Sequence, residues 1–306
     1  MDIVQRLETA LKSITTPDLG ESKLVPEQAQ RFMRAVTEAT PMLDESRFLE
    51  MNSHTKHIDR VGFGERILQP AEENVEPEKS SKPEFHTNKL YSEELIAVVG
   101  ITDSTLEDNL ERESFENTLV DMMGERAGLD LEELFINGNT SSTSQDAFIK
   151  TIDGWIEKAG NQAKKKTDFD ATDVESFFDA LIGKTPKKFL RDRKQWRIYT
   201  TWDIEDTYRN VLRSRGTALG DSAQTGADVL YYKGFPVVAV PNMPAGTGLL
   251  SLPDNQVYGL YRDVRIEPDR LPKARRTDFV LTMRTDCHYE NEKAATVAKG
   301  FTGPTE

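Results

Sequence analysis

Fifteen residues from Gln69 to Pro83 hold three prolines and four glutamates, with Val75 as their one bulky apolar side chain. Such a segment cannot lie in a packed core or inside a sheet. Proline has no N–H to donate, and a carboxylate loses its hydration on burial. Yet apolar, strand-like runs flank it: Ile58 to Leu68 on one side and Glu94-Leu-Ile-Ala-Val-Val99 on the other. Two strand signals around a polar, proline-bearing tip predict a long hairpin over residues 58–104 that projects from the body. A structureless loop of this length is uncommon inside a compact domain and is usually functional or a linker. Pattern alone leaves a plainly solvated loop open as the alternative.

The next stretch predicts the longest helix. Leu106, Leu110, Phe115, Leu119, Met122, Met123, Ala127, Leu131, Leu134 and Phe135 keep to one broad stripe. Glu107, Asp108, Glu111 and Glu113 crowd its start, where the helix dipole favours negative charge. A helix over 105–136 would run roughly 45 Å at about 1.5 Å per residue. Gly124 and Gly128 are possible bends, and Asn137-Gly-Asn139 is a stop.

Before the hairpin, Ile3, Val4, Leu7, Leu11 and Ile14 recur at helical spacing. A second helical stretch from Pro26 ends at Pro41. This N-terminal arm packs either on its own domain or on a neighbour. From residue 168 onward helices and strands alternate. Thr172-Asp-Val-Glu175 has the spacing of a capping box ahead of Phe177, Phe178, Leu181 and Ile182, with Gly183 as the C-terminal cap. Trp196 to Thr200 and Phe235 to Val240 read as strands, and Ile204, Tyr208, Val211 and Leu212 as a helix. Ser214 to Asp228 is a loop rich in small residues. Phe279, Leu281, Met283, Thr285 and Cys287 alternate with Val280, Thr282, Arg284 and Asp286, the mark of a half-buried strand.

Composition narrows the function. The 306 residues carry a net charge of −13, whereas a protein that grips DNA usually shows a basic balance or face. No run approaches the roughly 20 apolar residues of a membrane helix, and the charged N-terminus does not read as a signal peptide. Cys287 is the sole cysteine, which excludes an internal disulfide and a thiolate metal cluster. His54 and His57 lack a carboxylate partner at metal spacing, so no metal is expected. Gly62-Phe-Gly64 lacks the rest of a phosphate-binding fingerprint, and no nucleophile motif appears. The expectation is no cofactor and no enzyme. Lys164-Lys-Lys166 and the run from Lys184 to Lys194, with six basic residues and one acid, read as solvated or ion-pairing faces.

The order of parts is more telling: arm, acidic hairpin, long helix, α/β region, closing strand. Leu90-Tyr-Ser-Glu-Glu-Leu-Ile-Ala-Val-Val-Gly-Ile-Thr-Asp-Ser-Thr-Leu-Glu-Asp108 leads into the helix that ends Glu133-Leu-Phe-Ile-Asn-Gly-Asn139. Lys233-Gly-Phe-Pro-Val-Val238 is followed by Met243-Pro-Ala-Gly-Thr-Gly-Leu-Leu250. Phe279-Val-Leu-Thr-Met283 runs on to Ala294-Ala-Thr-Val-Ala-Lys-Gly300. Over residues 55–303 this order resembles the major capsid proteins of tailed bacteriophages, the Hong Kong 97 fold.

The resemblance implies an α+β subunit with an N-terminal arm (1–57) and an extended E-loop hairpin (58–104). A spine helix with part of the peripheral domain (105–167), an axial domain (168–262) and a return to the peripheral domain (263–306) would follow. Such a chain self-assembles as pentamers and hexamers into an icosahedral head that encloses double-stranded DNA without reading its sequence. It implies a separately encoded scaffold and a portal, no membrane, assembly in the host bacterial cytoplasm, and residence in the virion. An encapsulin-type compartment shell is the alternative. Glu72, Glu73, Glu76 and Glu78 at the hairpin tip would lie over a neighbouring subunit. Their partners would be Lys187, Lys188, Arg191 and Lys194, or Arg275 and Arg276. Gly216, Gly220 and Gly226 would line the capsomer axis. In the founding member of the family a lysine and an asparagine form an isopeptide bond beside a glutamate. Here Thr282 and His288 fall near the asparagine and glutamate places, so covalent cross-linking is not expected.

Overall fold

The computed structural model describes residues 40–62, 68, 83–102, 112–143, 145–214, 230–261 and 265–303. In chain order these form α1 (Pro41–Glu45), β1 (Arg47–Met51), β2 (Thr55–Gly62), β3 (Glu84–Tyr91), β4 (Glu93–Thr102) and α2 (Arg112–Asn137). Next come α3 (Trp155–Lys158), β5 (Asn161–Ala163), α4 (Val174–Lys184), β6 (Arg197–Thr200), α5 (Trp202–Ser214), β7 (Leu230–Tyr232) and β8 (Phe235–Ala239). The last are β9 (Thr247–Ser251), β10 (Gln256–Tyr261), β11 (Arg265–Leu271), β12 (Arg276–Tyr289) and β13 (Thr296–Lys299). Both helical stretches of the N-terminal arm lie outside the described residues, as do Leu106 and Leu110 and the acids Glu107, Asp108 and Glu111 expected at the start of the long helix. Pro41, expected to stop the second stretch of the arm, opens α1 instead: the missing N–H costs nothing in a first helical turn.

Strand β12 is the shared member of the first sheet. On one side Arg276–Thr285 pairs antiparallel with Thr102–Glu93 of β4. On the other side its first half pairs with β11 and its second half with β10, which β1 extends in parallel. The alternation read from the sequence is the reason it can do so. Phe279, Leu281, Met283, Thr285 and Cys287 are all buried, against α2 and its neighbours. The second sheet has the order β5-β13-β9-β6-β8-β7. Strands β10 and β13 cross the sequence-level boundaries: β10 lies before residue 263 yet joins β12, and β13 lies after it yet joins β9 and β5.

Two large apolar cores form, the first shared by both sheets through Tyr199, Leu249 and Val297, and a smaller third one lies under the hairpin. In the first, Phe135 near the end of α2 meets Trp155 and Tyr258, each with ring centroids 5.7 Å away. In the second, Phe177 and Phe178 of α4 pack with Phe169, Phe301, Tyr208 and Tyr232. Helix α2 runs unbroken through Gly124 and Gly128 for 26 residues, the longest helix among the described residues. Met122 of the predicted stripe is 62% exposed, so that stripe is not all core.

Three local readings change. Gly138 follows α2 as expected, but because of crowding rather than a left-handed cap. A Cβ there would come within 2.5 Å of the Ile152 carbonyl oxygen. Gly154 faces it, with its N–H donating to the Gly138 carbonyl at 2.8 Å. The cap of α4 is Asp173, whose carboxylate accepts the Glu175 N–H at 3.0 Å, while the Thr172 hydroxyl turns back to Asp170. An aspartate accepts that bond with a full charge, which the threonine cannot match. Gly183 sits inside α4 and does not cap it; Thr185 follows the last turn.

Glu132 of α2 is fully buried. Its carboxylate accepts the Met42 N–H of α1 at 3.1 Å and the Asn242 side-chain N–H at 3.1 Å. Burial raises its pKa, and the two hydrogen bonds only partly oppose that.

Gly138→Ala and Gly154→Ala should each destabilise the isolated subunit by about 1–3 kcal/mol or more, because backbone must move. Gly183→Ala meets nothing within 4 Å and should stabilise by about 0.5–1 kcal/mol; urea unfolding of the three variants checks both signs. Because the folded pKa of Glu132 is raised, its stabilising contribution is complete at low pH and fades as pH rises through that pKa. Melting temperatures measured from pH 7 down to 5 should therefore move in favour of the wild type relative to Glu132→Gln.

Candidate functional site: the hairpin base and the exposed faces

A hairpin forms, but with a different return strand: the predicted Glu94–Val99 lies in β4 and pairs with β12, and β3 takes its place beside β2. Eight residue pairs, from Thr55↔Tyr91 to Gly62↔Glu84, join β2 to β3. Its base is docked on the protein's own first sheet rather than free. Leu90 and Ile58 are buried with Met51 and Val257. Gly259 makes room for them, since a Cβ there would stand 2.7 Å from Met51 Sδ and 3.1 Å from Leu90 Cδ1. The Asn88 amide donates to the Tyr289 carbonyl at 2.7 Å, and the Tyr91 N–H donates to Asp286 Oδ2 at 2.7 Å.

Asp286 is 3% exposed. Its other oxygen, Oδ1, accepts the Cys287 N–H at 2.8 Å and Lys158 Nζ at 3.0 Å. Lys158 also donates to the Cys287 carbonyl at 2.6 Å. The alternation pattern put residue 286 on the solvent side of the strand. The hairpin covers it there, from a position 195 residues earlier in the chain. Beyond its being one more acidic residue on a polar face, no local signal marks it, and Glu132 was missed in the same way.

Farther along the hairpin, Val61 and Phe85 pair directly across the two strands and are 59% and 71% exposed. Ile96 and Val98 share the outer face of β4 and are 68% and 57% exposed. That face is bordered by the Glu94–Arg284 ion pair at 2.9 Å. Between β4, α2 and Phe148 lies an open apolar groove of about 410 Å³.

The predicted contact residues divide. Glu72, Glu73, Glu76 and Glu78 lie outside the described residues, as do Gly216, Gly220 and Gly226. Lys187, Lys188, Arg191 and Lys194 are exposed in the segment between α4 and β6. Lys188 and Arg191 face a cleft of about 640 Å³ whose other wall is the hairpin's own Arg60, Glu84 and His86. Arg275 and Arg276 are exposed at the turn between β11 and β12, where Arg276 pairs with Asp278 at 3.0 Å. The two basic groups therefore occupy separate places in the fold.

Cys287 is fully buried, with Sγ 3.6 Å from the Asp153 carbonyl and 3.8 Å from that of Phe135. Burial pushes its thiol pKa up, away from reactivity. Burial, and then the charge of Lys158, lowers the pKa of His288, whose Nδ1 accepts the Tyr289 N–H at 2.9 Å. His54 Nδ1 lies 3.1 Å from the Ser92 hydroxyl, and His57 is exposed on β2. Among the described residues no group of three or more His, Cys, Asp or Glu is placed to hold a metal ion, and no helix is long and apolar enough to cross a membrane.

No protein-family model matches the chain. A chain of the satellite phage P4 procapsid, which includes the size determination (Sid) protein, is similar with a TM-score of 0.68 and 16% identity over 99% of both chains. The capsid of an empty GTA particle matches at 0.60 and 12%, over 95% of this chain and 97% of the other. A chain from Mycobacterium phage Adephagia matches at 0.59 and 13%, over 87% and 91%. These likenesses concern the fold. The sequence itself is 32% identical, over 96% of both chains, to the prophage capsid protein YqbE of Bacillus subtilis (strain 168). With near-complete coverage at that identity, and the fold of phage shells around it, the chain belongs to the tailed-phage major capsid protein family.

Proposed function

We propose that the chain is the building block of an icosahedral tailed-phage head that encloses double-stranded DNA, acting by assembly and not by catalysis. The observation that carries this reading is the relation to a prophage capsid protein over 96% of both chains. The surface supports it. Val61 with Phe85, and Ile96 with Val98, are adjacent apolar pairs that the described part of the chain leaves open. Paired exposed apolar residues of this kind are compatible with contact sites between copies. A net charge of −13 suits a container whose wall must not hold its DNA.

On this reading the first sheet with α2 is the peripheral domain, the second sheet with α4 and α5 the axial domain, and residues 1–57 the arm, whose strand β1 joins the peripheral sheet. The hairpin is the E-loop. Its tip glutamates, Glu72, Glu73, Glu76 and Glu78, reach a neighbour's Lys187, Lys188, Arg191 and Lys194, or its Arg275 and Arg276. Gly216, Gly220 and Gly226 sit near the capsomer axis, where five- and six-fold settings demand an adaptable loop. Partners are further copies, a separately encoded scaffold, a portal and the packaged DNA. Synthesis is in the host cytoplasm and the destination is the virion.

Expressed with its scaffold, the protein should elute as a megadalton species and image as closed particles in negative stain; a small soluble oligomer in both measurements would refute the reading. Exposed ion pairs are worth about 0–1 kcal/mol each, so reversing all four tip glutamates should lower particle yield at low salt without unfolding the subunit. The shell should also lack covalent links. Thr282 has no side-chain carbonyl for Lys79, Lys82 or Lys89 to attack, and the thiol of Cys287 is buried. Boiled particles run without reductant should give one band near 34.6 kDa, and a ladder of multiples would contradict this.

A further inference from the structure

Strand β4 pairs with β12 as far as Glu93↔Thr285. One residue earlier the chain leaves that ladder. Ser92 turns to the hairpin instead, its N–H donating to the His54 carbonyl at 2.9 Å. The next residue back, Tyr91, lies outside the β4–β12 ladder, at the end of β3. Its N–H is caught by a side chain, Asp286 Oδ2, at 2.7 Å. The carboxylate is itself held from behind. Lys158 of α3 and the Cys287 N–H fix Oδ1 at 3.0 and 2.8 Å, so Oδ2 has one direction to point.

We propose that Asp286 is a positioning residue for assembly: its buried carboxylate, clamped by Lys158, sets the angle at which the hairpin leaves the sheet. A backbone ladder would have forced the hairpin to continue in the plane of β4 and β12. A side-chain acceptor keeps the N–H satisfied while the chain changes direction, and that acceptor is buried and held from behind although Tyr91 itself is half exposed. The opposite side of the pivot is apolar, with Leu90 pressed over Gly259, so the hairpin can neither slide nor lift without opening both contacts. The proposal rests on the reading that the hairpin contacts a neighbouring subunit. If it does, a small change of angle at the base displaces the distal end most, and subunits would no longer close with one curvature.

Two variants of the full-length protein and one control test this. Asp286→Ala removes the acceptor. Tyr91→Pro removes the donor, with the phenol and the freedom of φ, and leaves the Asp286–Lys158 pair intact; compared with the control Tyr91→Ala, which keeps the N–H and should stay near wild-type exchange, it decides the matter should Asp286→Ala not fold. Amide exchange followed by mass spectrometry should rise about tenfold or more across residues 55–62 and 84–90, with β6 and β9 at wild-type protection. Negative-stain images of the same variants should show a broadened spread of particle diameters. Unchanged exchange across the hairpin in Tyr91→Pro overturns the proposal. So does faster exchange with particles of wild-type diameter and yield, since the hairpin angle would then not govern assembly. Whether the hairpin touches a neighbour at all is read separately, from the charge-reversed tip.

Discussion

The register of β12 is the constraint on which the rest depends. Its 14 residues span about 46 Å at roughly 3.3 Å each. Along that length it is the partner of β4, β11 and β10 in turn. A slip of one residue would carry Phe279, Leu281, Met283 and Cys287 out of the core and Arg284 into it. The same slip would move Asp286 away from Tyr91. Core packing and hairpin anchoring are thus secured by one register, and the large apolar cost of losing the first protects the smaller polar contacts of the second.

The end of α2 is locked to this strand through two glycines. Gly138 and Gly154 touch backbone to backbone, which brings Trp155 against Phe135. The Trp155 indole N–H then donates to the His288 carbonyl at 3.3 Å, and its own carbonyl accepts the Tyr289 hydroxyl at 2.9 Å. Three residues on, Lys158 reaches Asp286. A helix end, a short turn and the strand therefore form one rigid corner, and the hairpin springs from it. A bulky side chain at either glycine would open that corner even though neither residue belongs to the apolar core.

Much of this was legible in the sequence because period and composition report burial directly. The alternation from Phe279 to Cys287, the strand Phe235 to Ala239 and the helix bearing Ile204, Tyr208 and Leu212 all stand close to where periodicity put them. Partner choice was not legible: nothing in Thr296–Lys299 tells that it will lie between β5 and β9. Nor were the buried polar residues. Glu132 sits in a helix crowded with acids, and Asp286 on the polar side of its strand; each becomes buried only through a segment far away in the chain. At Gly138 the residue was noticed for the wrong physical reason, a turn preference instead of a close approach. Local signals report local conformation, and sites made by long-range contact leave no period behind.

The division between rigid corner and open faces bears on how a shell of many copies can close. Within the subunit, the contacts around β12 are buried and mutually enforcing. The proposed contacts between subunits are of another kind, exposed charges worth about 0–1 kcal/mol each and two-residue apolar patches on flat β surfaces. Weak contacts dissociate and re-form, so a misplaced subunit can leave before the shell traps it. Weakness alone would permit any curvature, however, so geometry has to come from the subunit itself. A hairpin held at a set angle by a buried carboxylate supplies that geometry at little cost in reversibility, because its hydrogen bonds lie within one chain and need not break when two chains part.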